Sequence, residues 1–228
     1  MPPRRQQFPT APRPTHFLAL PLHTHSILRA RVANFQESLF DGDGRALVRG
    51  LDRTIVIDPR RLHLTLGVMA LDGETKRVED ALALLETLRP QLRALLEDRK
   101  TVKVELGTLD VLKTERRGEE VHAHVLYLGV SDADEETLRL KRVCDVVHQA
   151  FKTAGHIRET RPLKLHCTIL NTSHRQPRRR EAFSYDDILK ITAAQNFGAY
   201  DVGRVELWKM GSRGPNNEYV SCGGTSLA

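Results

Sequence analysis

The sequence predicts an α+β fold of two lobes facing one active-site cleft, and three observations predict it. A strand–helix–strand pattern occurs twice: "HFLALPL", a helix and "LHLTL", then "HAHVLYL", a helix and "LHCTI". Each copy ends on His-x-Thr, as His63–Thr65 and His166–Thr168, with the two histidines separated by 103 positions. The chain has 228 residues, which suits one sizeable domain or two small lobes. A duplicated unit whose apolar faces both need cover closes naturally as two lobes.

Residues 1–14 hold five prolines and three arginines with little to bury, so they are predicted to be a disordered tail ahead of a single domain over 15–228. His16 to Leu22 reads as a strand. Ser26 to Leu39 spaces Ile27, Val32, Phe35 and Leu39 nearly helically. "DGDG", Asp41 to Gly44, is a turn, and Arg61 to Met69 is a strand by length and composition. Residues 74–99 keep Ala81, Leu85, Leu88, Leu92 and Leu96 on one face of a long amphipathic helix, kinked at Pro90. Val102–Leu106 and Thr108–Leu112 read as one or two short strands, Arg116–Glu120 as a polar turn and Val121–Val130 as an alternating strand. Asp132 or Asp134 can cap a helix that runs to about Ala154 and stops at Gly155. Leu163–Leu170 is a strand and Tyr185–Ala194 a shorter helix. Val202–Met210 and Glu218–Cys222 are late strands joined by "GSRGPNN".

Hydrophobic content of 40% and charged content of 28% are ordinary globular usage. No apolar run approaches the ~18 residues of a bilayer span, so no membrane is expected as a partner. "MPPRRQQFPTAPRP" lacks the apolar core of a secretory signal. Three scattered cysteines, Cys144, Cys167 and Cys222, suit neither a disulfide framework nor a zinc site. An odd count favours reduced thiols, hence the nucleus or cytoplasm. The net charge of +6 points to an anionic partner (RNA, DNA or a phosphorylated small molecule), against the plainer alternative of a mildly basic soluble protein.

Side chains alternate across a strand, so His63 and Thr65 share one face while Leu62, Leu64 and Leu66 point into a core. The second copy places His166 and Thr168 on one face and Leu165, Cys167 and Ile169 opposite, which makes Cys167 a packed thiol rather than a nucleophile. One His-x-Thr among ten histidines is expected by chance, whereas two in the same slot of a repeat are not. Imidazole titrates near pH ~6.5, so one copy can be neutral and the other protonated. The neutral ring takes a proton from an attacking hydroxyl or water, and the protonated ring gives one to the leaving oxygen. Each threonine hydroxyl can donate to a non-bridging phosphate oxygen, where charge builds in the transition state. The set suits in-line displacement at a phosphodiester and needs neither a metal nor a cofactor. Which histidine is acid and which base stays open.

These residues resemble the two-histidine (2H) phosphoesterase superfamily, whose signature is a pair of His-x-Thr/Ser motifs with apolar flanks. "PTHFLALPL", "LHLTLGVM", "LKLHCTILNT", "ILKI" followed by "FG", and "YVSCGG" look like the RNA-ligase-like domains of the A-kinase anchoring protein type, which also occur in a subunit of a transcription-coactivator complex. The similarity runs from Thr15 to near the C-terminus. It implies two antiparallel-rich sheets with flanking helices, related by a pseudo-two-fold repeat about the cleft. It implies His63, Thr65, His166 and Thr168 as the catalytic set. The substrates it implies are RNA or nucleotide phosphodiesters: 2′,3′-cyclic phosphates, 2′-5′ links or RNA 3′ ends. The alternative it carries is a module that binds RNA or AMP-like nucleotides without turnover, in a coactivator or alkylation-repair assembly with helicase partners. Animal forms of that subunit carry an RNA-binding KH domain before this one. Here only the short tail precedes Thr15, so RNA affinity is expected from elsewhere, and "GSRG" at Gly211 to Gly214 reads as a turn. A monomer is expected.

"NTSHRQPRRR", Asn171 to Arg180, follows the second motif directly. Asn171 and Arg175 are therefore candidate substrate contacts on a loop overhanging the cleft, the alternative being a solvated basic loop. Tyr219 is a candidate for stacking on a base, with Phe17 and Tyr200 as rivals, and each could instead be core. His23/His25 and His122/His124 are pairs of a kind that can ligate zinc, but no carboxylate or cysteine stands at a companion spacing. They read as ordinary histidines on polar strand faces, and His16 is assigned no role.

Overall fold

The computed structural model describes residues 12–228 apart from positions 72, 75, 132–133 and 193–195, so most of the predicted tail lies outside the described residues. In chain order the strands are β1 (His16–Pro21), β2 (His63–Met69), β3 (Val102–Arg117), β4 (Glu120–Val130), β5 (His166–Asn171), β6 (Phe183–Ser184), β7 (Gly198–Val202), β8 (Arg204–Lys209) and β9 (Ser221–Ser226). The helices are α1 (Ser26–Glu37), α2 (Val78–Thr87), α3 (Arg89–Leu96), α4 (Glu135–Thr153) and α5 (Tyr185–Ile191). One antiparallel sheet has the order β2-β1-β8-β9 and the other β5-β4-β3-β7, with β6 beside β4. The two orders correspond: a His-x-Thr strand at one edge, then the strand that opens its repeat unit. The repeat in the sequence is a repeat in space, and the fold is the α+β, two-sheet arrangement expected.

Alternation sets the core. Leu18, Leu20, Leu62, Leu64, Leu66, Val205 and Leu207 are fully buried on one face of the first sheet. The opposite face carries a separate layer of Phe17, Ala19 and Trp208.

Several elements differ from the sequence expectation. The long helix over 74–99 is two helices, α2 and α3, rather than one kinked helix. Pro90 sits in the first turn of α3, where its missing N–H would have had no partner anyway. In α1 it is Leu28 that is buried, and Ile27 is 62% exposed. β3 is one long strand with an irregularity between Leu106 and Thr108. Asp134 caps α4 by accepting the Thr137 N–H at 2.7 Å, whereas Asp132 lies outside the described residues. α5 stops at Ile191, and positions 193–194 of the expected helix are likewise not described. β6 and β7 were not expected; the first is only two residues long. His122 is buried beside Glu120 rather than on an outer face.

The two lobes are stitched together at their His-x-Thr strands by a reciprocal device. In β2 the register jumps so that Leu66 is the extra residue, and in β5 Ile169 is. These are β-bulges at the same place, three residues after each histidine. Each bulged carbonyl is taken by a buried side chain from the opposite lobe. His148 of α4 donates from Nδ1 to Leu66 O at 2.7 Å, and Gln36 of α1 donates from Nε2 to Ile169 O at 3.0 Å and Ile57 O at 2.8 Å. The backbone repeats the exchange: Val56 bridges Leu170, and Ile157 bridges Met69. Gln36→Leu keeps the volume and removes the donor. Leaving the half-buried Ile57 carbonyl without its side-chain partner is expected to cost about 0.5–1.5 kcal/mol, read as a lower urea midpoint at unchanged m-value.

Candidate active site

β2 and β5 carry the two motifs, with Leu64 and Cys167 pointing the other way into the core at zero exposure. Burial pushes the Cys167 thiol up to about 12, consistent with packing rather than nucleophilic chemistry. Both histidines are pinned in the same manner. His63 Nδ1 donates to Arg61 O at 2.7 Å, and His166 Nδ1 donates to Lys164 O at 2.7 Å. A carbonyl only accepts, so Nδ1 carries the proton in each ring, and Nε2 is left as the titrating nitrogen. His63 Nε2 lies 3.1 Å from Thr65 Oγ1. Thr65, His166 and Thr168 line a common cavity of about 510 Å³, with Lys113, His148 and Asn171 also on its wall.

The surroundings of the two rings differ. His63 stands against aromatic rings: Phe17 at 5.0 Å between centroids, Trp208 at 5.4 Å and Tyr219 at 5.5 Å. Burial pushes its pKa down to about 4. The bond to Arg61 O opposes that fall, and the charges of His166, Arg61 and His23 add to it. His166 is also lowered by burial, with the Lys164 ammonium contributing, and the bond to Lys164 O opposes the fall. Its ring meets the edge of Tyr127 at 5.5 Å, and the Tyr127 hydroxyl donates to Asp110. Burial pushes Asp110 up, but hydrogen bonds from Tyr127 and the Val111 N–H, with the Lys164 ammonium nearby, together hold it below the usual carboxylate range. Asp110 thus lies behind the Tyr127 ring that His166 meets, while the charges acting directly on both histidines are all positive.

Of the candidate contacts, Asn171 lines the cavity while its side-chain oxygen caps the Ser173 N–H at 3.0 Å. Tyr219 is half-buried, stacked on Trp208 at 5.5 Å, with the Arg61 guanidinium 3.6 Å above its ring. Two candidates are corrected. Phe17 is 3% exposed, its ring enclosed by His63, Trp208 and Tyr219, so it supports the wall and presents no free face to a base. Arg175 is 1% exposed on its side chain: it pairs with Asp52 and donates to Gly50 O at 2.6 Å and Glu181 O at 3.2 Å, so it points inward and cannot clamp a phosphate. Tyr200 is buried, with its hydroxyl on Phe197 O. His124 donates to or accepts from Thr172 Oγ1 at 2.8 Å. Among the described residues no group of three or more His, Cys, Asp or Glu side chains is arranged to hold a metal ion. The sequence pattern does not mark Trp208, Tyr127 or Asp110. The alternation of β1 held a usable signal: Phe17 and Ala19 sit on the face opposite the leucine core, and a bulky apolar residue there implies a second packed layer.

Residues 14–227 match the model of the AKAP7 2'5' RNA ligase-like domain. The chain belongs to that family. It is thereby a member of the 2H phosphoesterase superfamily. Among curated proteins it resembles activating signal cointegrator 1 complex subunit 1 of Mus musculus, 26% identical over 239 residues that cover 96% of this chain and 63% of the relative. The chain thus spans under two thirds of that relative's length. Among solved structures it resembles E. coli LigT complexed with 3'-AMP, at 14% identity and TM-score 0.55, covering 94% of this chain and 98% of that one. It also resembles TT0787 of Thermus thermophilus, at 20% identity and TM-score 0.56, covering 93% and 97%. At these identities the two solved structures share the fold.

Proposed function

We infer that this 2H phosphoesterase is a metal-independent phosphodiesterase acting on RNA or nucleotide phosphodiesters, with His63 as base and His166 as acid. The observation that carries the reading is the doubled arrangement at the cleft: two strands, each holding its histidine by Nδ1 and leaving Nε2 to titrate, with Thr65 bonded to one ring and Thr168 on the same cavity wall as the other. For a 2′,3′-cyclic phosphate, water attacks phosphorus and gives its proton to His63 Nε2. The ring oxygen leaves with a proton from His166 Nε2, while Thr65 and Thr168 donate to the non-bridging oxygens. The assignment of roles rests on the surroundings. The deeper lowering at His63 keeps that ring neutral and leaves the acid role to His166. Incubation with EDTA and oligonucleotides ending in 2′,3′-cyclic phosphate, or containing 2′-5′ or 3′-5′ links, tests the reading by product end-group analysis. Abolition of all turnover by EDTA, or none on any of the three, counts against it.

The same groups set a pH dependence. In the free protein His63 becomes neutral above pH about 4, and His166 keeps its proton only below a pKa lowered from 6.5. A plot of kcat/KM against pH is expected to rise through the region near pH 4 and to fall before pH 6.5 is passed. A plateau from neutral to alkaline pH contradicts the assignment.

A second reading is nucleotide or RNA binding without turnover, as a subunit of a coactivator assembly in the nucleus or cytoplasm. Its support is that burial lowers both rings and so disfavours the imidazolium at each, together with the complex-subunit name of the mouse relative. Stoichiometric AMP binding with no product over hours favours it. A pull-down that recovers no helicase partner weighs against the assembly.

A further inference from the structure

Two hollows continue the cleft along the outside of the second sheet. The cleft cavity shares Lys113 and Asn171 with a neighbouring hollow of about 400 Å³. That hollow shares His124, Thr172, Ser173 and Arg180 with a third of about 560 Å³, which reaches Arg178. The three form one groove that begins at Thr168 and runs along the loop leaving β5. Its lining carries an excess of positive charge. Lys113, Arg178 and Arg180 are exposed, and none has a carboxylate within ion-pairing distance among the described residues. Glu115, the carboxylate on the rim, is taken by Arg117 at 2.8 Å, and Arg179 by Glu181 at 2.6 Å. The backbone adds an independent sign. Lys113 has φ +56° in the middle of β3, a left-handed conformation that costs a non-glycine residue of order 1–3 kcal/mol. It lets two consecutive residues, Leu112 and Lys113, both line the cleft cavity, which regular alternation forbids. Strain held at the junction of cleft and groove places an ammonium there.

We propose that this groove, from Lys113 past His124 to Arg180 and Arg178, is a track for the phosphate backbone of single-stranded RNA continuing from the phosphodiester in the cleft. It rests on the phosphodiester reading of the cleft and adds the substrate's size: a polymer rather than a free nucleotide. A polyanion is the ligand such a row fits, because each cation neutralises a phosphate and releases counterions. RNA is favoured over an acidic peptide because the groove opens directly into the cavity lined by Thr168 and His166.

The test compares a single-stranded RNA of about ten nucleotides with a mononucleotide 2′,3′-cyclic phosphate. Binding of the RNA is measured by fluorescence anisotropy across a salt series, and turnover of the mononucleotide is followed separately. The protein is the full chain and its Arg178→Ala/Arg180→Ala variant, which alters only exposed side chains. The variant is expected to bind the RNA about tenfold more weakly, with the log–log salt slope reduced by about 1.4, two contacts at ~0.7 each. Turnover of the mononucleotide is expected to be unchanged. Equal RNA affinity in both proteins overturns the track, and so does an equal loss for a polyglutamate peptide of matched charge. If neither protein turns over the mononucleotide while the affinity difference stands, the catalytic reading fails and the track survives.

Discussion

His166→Ala is expected to lower kcat/KM by about 10²–10⁴-fold on whichever phosphodiester proves to be the substrate, with His63→Ala falling by a similar factor. The double variant is expected to lose little more than the worse single one, because acid and base act in one step and losses within such a unit are not additive. The pH profiles separate the two roles. Removing His166 abolishes the fall on the neutral side, whereas removing His63 abolishes the rise near pH 4. Structure complicates only one arm. His63 is part of the aromatic layer with Phe17, Trp208 and Tyr219, so its truncation leaves a gap there. His63→Gln keeps more of that volume and is the fairer variant. His166 is bonded to Lys164 O and touches Tyr127 at its edge, so His166→Ala is expected to keep its melting temperature within a few degrees of wild type. Variants that both retain turnover, or both lose the same limb, contradict the assigned roles.

Arg175→Ala is the substitution with the largest expected effect on stability. Its guanidinium is 1% exposed, pairs with Asp52 and holds Gly50 O and Glu181 O, so it ties the turn before the first 3₁₀ segment (Arg53–Ile55) to the loop after β5. Removing one partner of a buried pair costs about 3–5 kcal/mol. Asp52 remains 28% exposed and can be rehydrated, which reduces the expected loss to about 2–4 kcal/mol. Urea unfolding measures it. The exposed neighbour Arg178 supplies the contrast: Arg178→Ala leaves stability within about 0.5 kcal/mol. A destabilised Arg175 variant whose folded fraction binds RNA normally supports the inward role. An unchanged urea midpoint with weakened RNA binding would restore the phosphate clamp.

Arg175 also shows where the sequence stops being legible. Four arginines in one short segment look alike to composition, and only the fold decides that one turns inward toward Asp52 while Arg178 and Arg180 stay in solvent. The repeat, the strands β1, β2, β4 and β5, and the pairing of the two motifs were legible because alternation and repetition are local patterns. The leucines of β2 face inward, and Thr65, His166 and Thr168 reach the cavity wall. The break between α2 and α3 was half legible, since Pro90 marks the place but not whether the chain bends or restarts there. β7 was hidden because "GAYDV" gains its strand character from pairing with β3, not from its own residues. The wall around His63 was hidden because Trp208 joins it from a strand about 145 positions away in sequence, a contact no local window contains. The backbone strain at Lys113 has no sequence signature at all.

Both motif strands lie on the outer rim of their sheets, the position from which a β-protein is most exposed to pairing with a foreign chain. Each rim is shut by the opposite half: Val56 against Leu170, Ile157 against Met69, with Gln36 and His148 on the bulged carbonyls. The molecule's two most adhesive borders are thus folded into one seam, and the chemistry sits on that seam. Spreading the halves to admit a ligand would bare both borders at once. A ligand is therefore expected to enter along the rim with the seam closed, and the reacting groups to hold their spacing through the whole cycle.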